Sequence, residues 1–174
     1  MDYTKHYRRT PKQGFTIVEL LIVIVIIGIL AAITIVAYNG IQNRTNDTAV
    51  QADLRNLAMK IRELEAIDGT VPVAAGSSGI TGLAKFPVTR GSYATTSHNL
   101  YYCVGTINGR TEFAVGGLSK SGNKFMHSST SGAATYTGAW TNSTNICPGL
   151  GFATYTFGYG YDVSSNVWFS WTQQ

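Results

Sequence analysis

Hydrophobic and polar positions divide this chain of 174 residues into successive textures. A polar, basic stretch containing Pro11 runs to Gly14. From Leu20 to Ala37, eighteen consecutive positions carry no charge, and only Gly28 and Thr34 among them are not plainly apolar. That run meets the length of a membrane-spanning helix, about 17–25 residues. Beyond Gly40 the pattern becomes periodic: Val50, Leu54, Leu57, Ile61 and Leu64 fall at spacings of 4, 3, 4 and 3, while Asp53, Arg55, Lys60, Arg62, Glu63 and Glu65 take other faces. This spacing predicts a helix whose apolar stripe covers a sheet. Gly69 followed by Pro72 supplies the stop. From Phe15 to Ile67 such a helix would run about 80 Å at ~1.5 Å per residue, half in a membrane and half as the spine of a head.

After Gly69 the apolar residues come in short runs among Gly, Ser and Thr. Residues 74–82, 119–123 and 128–133 read as loops. Candidate strands are Leu100–Ile107, Glu112–Leu118, Ala134–Tyr136, Ala153–Tyr161 and Val167–Thr172, with Asn108-Gly109 a hairpin turn and Ser164-Ser165-Asn166 a second reversal. The expected architecture is α+β, a long N-terminal α-helix packed on an antiparallel β-sheet head. Its divisions are a processing segment over 1–14, a hydrophobic helix over 15–39, an amphipathic continuation over 40–68 and the β-rich head over 69–174.

The net charge of +4 looks basic, but Lys5, Arg8, Arg9 and Lys12 against Asp2 place +3 of it before Phe15, leaving +1 for the rest by subtraction. Overall basicity is therefore a poor argument for nucleic acid and a better one for a cytoplasmic N-terminus. Cys103 and Cys147 fall in the part that would lie outside the cytoplasm, where a disulfide is favoured over free thiols. Closing that loop of about 45 residues is worth roughly 4 kcal/mol in the chain-entropy model. His98 and His127 have no ligand-like spacing with the cysteines, so neither a metal nor a cofactor is expected.

Glu19 is the misfit, an acid at the start of an apolar helix, where an ionised carboxylate costs on the order of 2.5–3.5 kcal/mol at bilayer depth. A charge kept there needs a partner. A simple membrane anchor leaves Glu19 unexplained. A secretory signal fits poorly too, since the apolar run exceeds the usual length of about 7–15 residues and Leu30-Ala31-Ala32 lacks a small residue at the required position. Gly14-Phe15-Thr16-Ile17-Val18-Glu19-Leu20, with Gly28-Ile29-Leu30-Ala31-Ala32, resembles the type IV pilin and pseudopilin family over roughly residues 8–67.

The resemblance implies cleavage between Gly14 and Phe15 by a prepilin peptidase and N-methylation of Phe15. It also implies pairing of that new amine with Glu19 of a neighbouring subunit in a homopolymeric filament. Low surrounding dielectric strengthens such a pair, and one axial offset satisfies it. An assembly ATPase and a platform protein are implied as partners, with the subunit in the cell membrane before assembly and in an extracellular pilus after it. Gly28 and Ala32, with Ala31 beside them, form a small-residue face for close helix packing. Where many pilins carry a helix-loosening proline this chain has Val36, and Asn39-Gly40 is the nearest substitute weak point.

The expected function is a structural pilus subunit serving adhesion, motility or DNA uptake, and not an enzyme. A pseudopilin of a secretion or competence system is the nearest alternative, and a minor tip pilin acting as adhesin or DNA receptor the next. Tyr155, Phe157, Tyr159 and Tyr161 alternate along one strand and, with Trp140, Trp168 and Trp171, suit either sheet core or a glycan platform; core is favoured. Lys85, Arg90, Arg110, Lys120 and Lys124 against Glu112 and Asp162 offer phosphate contacts but more simply a solvated surface. The head carries no recognisable nucleophile motif.

Overall fold

A computed structural model describes residues 14–76, 79–83 and 85–172; the segment expected to be cleaved lies, up to Gln13, outside the described residues. The chain forms two compact units, one ending at Gly40 and the other beginning at Ile41. Helix α1 (Ile17–Asp68) contributes to both. Among the described residues of the first unit its large apolar side chains are exposed, from 50% at Ile26 to 84% at Ile17. Among the described residues this is the helix long and apolar enough to cross a membrane. So much bare apolar surface is stable only in lipid or against other helices.

In the second unit Val50, Leu54, Leu57, Ala58 and Ile61 of α1 are buried and Leu64 partly so. They pack on an antiparallel sheet of β1 (Leu100–Ile107), β2 (Arg110–Leu118), β3 (Lys124–Ser128), β4 (Gly132–Thr135) and β5 (Tyr155–Tyr159), in the order β4-β3-β2-β1-β5. Strands β1 and β2 pair from Leu100↔Gly117 to Ile107↔Arg110. Asn108 and Gly109 both take positive φ, as a type I′ turn requires. Leu100, Tyr102, Val104, Phe113, Val115 and Phe125 meet the helix stripe.

The opposite face is also covered. Tyr101, Cys103 and Ala114 pack under Tyr136, Ile146, Cys147, Leu150 and Phe152, a second layer that includes the short helix α2 (Ser143–Gly149). The sequence pattern predicts neither this layer nor β3. Strand β3 occupies five residues between two loop-like stretches, and its burial shows no alternation to read, since Phe125 and Ser128, buried three residues apart, point to opposite faces of the sheet. Strand β4 begins inside the stretch read as loop. The run Ala153–Tyr161 divides at Gly160, whose N–H donates to Leu100 O at 2.9 Å and whose carbonyl accepts from Phe169 N–H at 2.9 Å. Past it, β6 (Tyr161–Asp162) pairs with β7 (Val167–Trp168) in a separate two-stranded sheet. Strand β7 stops at Trp168 because the chain then turns, with Thr172 N–H donating to Phe169 O at 3.0 Å.

Candidate assembly site

The N-terminus of α1 is built by the four residues Thr16-Ile17-Val18-Glu19, a capping box. The backbone N–H of Thr16 donates to Glu19 Oε2 at 2.8 Å, and its hydroxyl donates to the same oxygen at 2.7 Å. In return Glu19 N–H donates to Thr16 Oγ1 at 3.2 Å. The carboxylate thus satisfies orphan donors of the first turn and lies at the positive end of the helix dipole. Among the described residues no cation pairs with it. Sequence reasoning singled out Glu19 and missed Thr16, although the T-x-x-E spacing carries the signal.

Phe15 precedes the cap and is 83% exposed. A Cβ added at Gly14 or at Gly28 meets nothing within 4 Å, so the single subunit imposes no steric need for glycine at either place. Ala31 and Ala32 are exposed on the same uncovered helix. Gly14, Phe15 and Glu19 are brought to one end of α1; Gly28, Ala31 and Ala32 are further along it.

In the head, Cys103 of β1 is joined to Cys147 of α2 with their Cα atoms 5.6 Å apart, which fastens the second layer to the sheet. Arg90 is a hook: its Nε donates to Thr172 O at 2.9 Å and its guanidinium lies 5.5 Å from the Trp168 ring. Lys124 Nζ likewise donates to Gly138 O at 2.7 Å. Lys85, Arg110 and Lys120 are exposed. Trp171 and Tyr161 are buried, while Tyr155, Phe157 and Tyr159 are half-buried beside Tyr101. His98 stacks on Tyr159 at 4.8 Å and lies 3.9 Å from Asp162.

Two aspartates of α1 tie the helix to the loops. Asp53, expected on a polar face, is buried, since it lies three residues after Val50 and four before Leu57. It accepts from Thr89 N–H at 2.7 Å and Thr89 Oγ1 at 3.3 Å. Burial raises its pKa, and the Thr89 hydrogen bonds only partly offset this. The Tyr93 hydroxyl comes close to the same carboxylate without a hydrogen bond of good geometry, and burial pushes its pKa well above the ordinary value. Asp47 accepts from Ser121 Oγ and from Asn123 Nδ2 at 2.7 Å. Burial raises it, but hydrogen bonds from Ser119, Ser121 and Asn123 together pull it below its usual value.

Residues 9–35 match the prokaryotic N-terminal methylation motif. Over 101 residues the chain is 39% identical to the type IV wide pilus major component PilA4 of Thermus thermophilus, covering 57% of this chain and 76% of that protein. The chain belongs to the type IV pilin family. This pilin is also 33% identical, over 85 residues, to a "Probable minor fimbrial protein" of Dichelobacter nodosus, covering 43% of this chain and 53% of that one. No solved structure gives a significant match.

Proposed function

We propose that this pilin is a filament subunit, inserted through residues 15–39 with a cytoplasmic N-terminus, cut between Gly14 and Phe15 by a prepilin peptidase, N-methylated at Phe15 and polymerised. The observation that carries the reading is the Glu19 carboxylate, fixed by Thr16 at the first turn of a bare apolar helix with no cation beside it among the described residues. Such a group is costly in lipid and ready for an incoming amine. Cleavage supplies that amine on Phe15 of a neighbour. Uncovered apolar side chains and a glycine at position 28 that the monomer does not need support helix-to-helix packing as the source of the filament's cohesion. An assembly ATPase and a platform protein would supply the energy for extraction.

Mass spectrometry of the native product tests the cleavage: chains beginning at Phe15 with one added methyl are expected, and chains beginning elsewhere sink the assignment. Gly14→Val should leave uncut precursor in the membrane. Glu19→Ala should be cleaved yet give at least tenfold less sheared surface filament; wild-type amounts would remove the role given to the acid. The likeness to a minor fimbrial protein favours a second reading, a low-copy subunit of the same filament, which the protein's share of the sheared material decides. Retention in membranes with no surface fibre would instead indicate a pseudopilin.

A further inference from the structure

The fold divides the aromatic ladder near the end of the chain. Tyr161 and Trp171 are buried, whereas Tyr155, Phe157 and Tyr159 of β5 are half-buried on the sheet face turned away from α1. Strand alternation puts these three on one face, and the register sets Tyr159 across from Tyr101 of β1. Ring centroids are 6.3 Å apart for Tyr155 and Phe157, 6.1 Å for Phe157 and Tyr159, and 6.3 Å for Tyr159 and Tyr101. His98, 4.8 Å from Tyr159, extends this continuous patch.

The patch carries unpaired hydroxyls. Elsewhere in the head Tyr102, Tyr136 and Tyr161 each donate to a backbone carbonyl. Among the described residues the hydroxyls of Tyr101, Tyr155 and Tyr159 make no hydrogen bond, and none of the three is sealed from solvent. Tyr101 as a whole is only 1% exposed, so a buried ring brings a free phenol to the surface. Burial, and then the neighbouring phenols of Tyr159 and Tyr155, raise its pKa, which keeps it a donor. On the far side of His98, 3.9 Å from its ring nitrogen, the Asp162 carboxylate accepts from Ser164 N–H at 3.0 Å and from Ser165 Oγ at 2.8 Å and retains acceptor capacity. No described lysine or arginine stacks on these rings, the cation–π pairs being made by Phe113, Trp168 and Tyr136.

We propose that this patch binds neutral glycans, with the Tyr155, Phe157 and Tyr159 rings against sugar C–H groups and the free phenols and Asp162 hydrogen-bonding the sugar hydroxyls. An apolar protein surface laid on the patch would strip water from three phenols and return no acceptor, which is unfavourable. A sugar presents C–H groups and hydroxyls side by side, matching rings whose edges are polar. Asp162 with no stacked cation to offset it disfavours a carboxylated sugar. The site belongs to the head alone, so it stands or falls separately from the role of Glu19.

Saturation-transfer NMR of the full-length protein, in a zwitterionic detergent free of sugar headgroups, tests this with cellotetraose as the probe. Transfer to the sugar ring protons is expected, with at least fivefold weaker binding of the carboxylated tetragalacturonate. Phe157→Ala should weaken cellotetraose binding at least tenfold. Tyr155→Phe combined with Tyr159→Phe keeps the rings and loses no hydrogen bond of the fold, so its circular dichroism should match the parent while binding drops at least fivefold. Absence of transfer, equal binding of the acidic tetramer, or a double variant that binds like its parent would each overturn the proposal. So would a head-to-head association that Phe157→Ala abolishes in protein that ignores the sugar, which would give the patch to a second copy.

Discussion

The Asp53 carboxylate is the acceptor that holds Thr89 and the 3₁₀ turn at Arg90–Ser92 against α1. Replacing it with alanine leaves a partly buried N–H without its acceptor, for which a loss of about 1–3 kcal/mol is expected in urea unfolding. Asp53→Asn keeps an acceptor oxygen and should lose less. Both outcomes are read from the unfolding midpoint of otherwise identical proteins. That a charged residue belongs inside was not legible in the residue type, only in helical arithmetic, since Asp53 sits between Val50 and Leu57 on the buried side. Glu19 was legible for the opposite reason, because a charge in an apolar run stands out without any structure. Its partner Thr16 hid in plain view, since threonine is unremarkable unless the three-residue spacing to an acid is checked.

At the level of elements, helix and sheet meet closely where Gly117 of β2 passes under α1. A Cβ on Gly117 would lie 2.7 Å from Val50 Cγ1 and 3.3 Å from the Tyr93 ring. Gly117→Val should therefore cost about 1–3 kcal/mol through overpacking. Adding Val50→Ala should recover part of the loss, and a double-mutant cycle with no coupling between the two would refute the contact. The hairpin β1–β2 was readable because Asn-Gly dictates a turn and the flanking runs are long and apolar. Helix α2 was not, having seven residues with Pro148 inside, too few for a periodic pattern. Helix α2 is held by burial of Ile146 and by the bond from Cys147 to Cys103, and a disulfide's consequence for layer architecture cannot be read from cysteine spacing. Hence the sequence predicts one covered face where the protein has two.

For the whole molecule, the second layer should respond to reduction. Opening Cys103–Cys147 is expected to lower head stability by about 2–5 kcal/mol and to diminish the near-ultraviolet dichroism of the aromatic cluster around Tyr101, measured with and without reductant. Acid should act on both faces. Burial lowers the pKa of His98 against the opposing pull of Asp162, and burial followed by Arg55 and Arg62 lowers that of His127. Folding therefore weakens the proton affinity of both imidazoles. The unfolded chain takes up their protons more readily, so stability is lost as pH falls through the ordinary value of 6.5. Asp53 acts in the opposite sense but only near the carboxylate range, so urea midpoints should fall between pH 7.5 and 5.5. His98→Asn together with His127→Asn should flatten that slope.

One core cluster contains both Val50 of α1 and Trp171, three residues from the end of the sequence. Trp171 donates its indole N–H to Tyr159 O at 3.1 Å, and Phe86 N–H donates to its carbonyl at 2.6 Å. Contacts between such distant positions form late, because a long loop must close before they reward it. A nascent chain that has emerged only as far as β5 therefore holds its first core residues and still lacks Trp171. The head closes only once Trp171 has joined it, and a stop codon just ahead of Trp171 would strand it as a protease substrate.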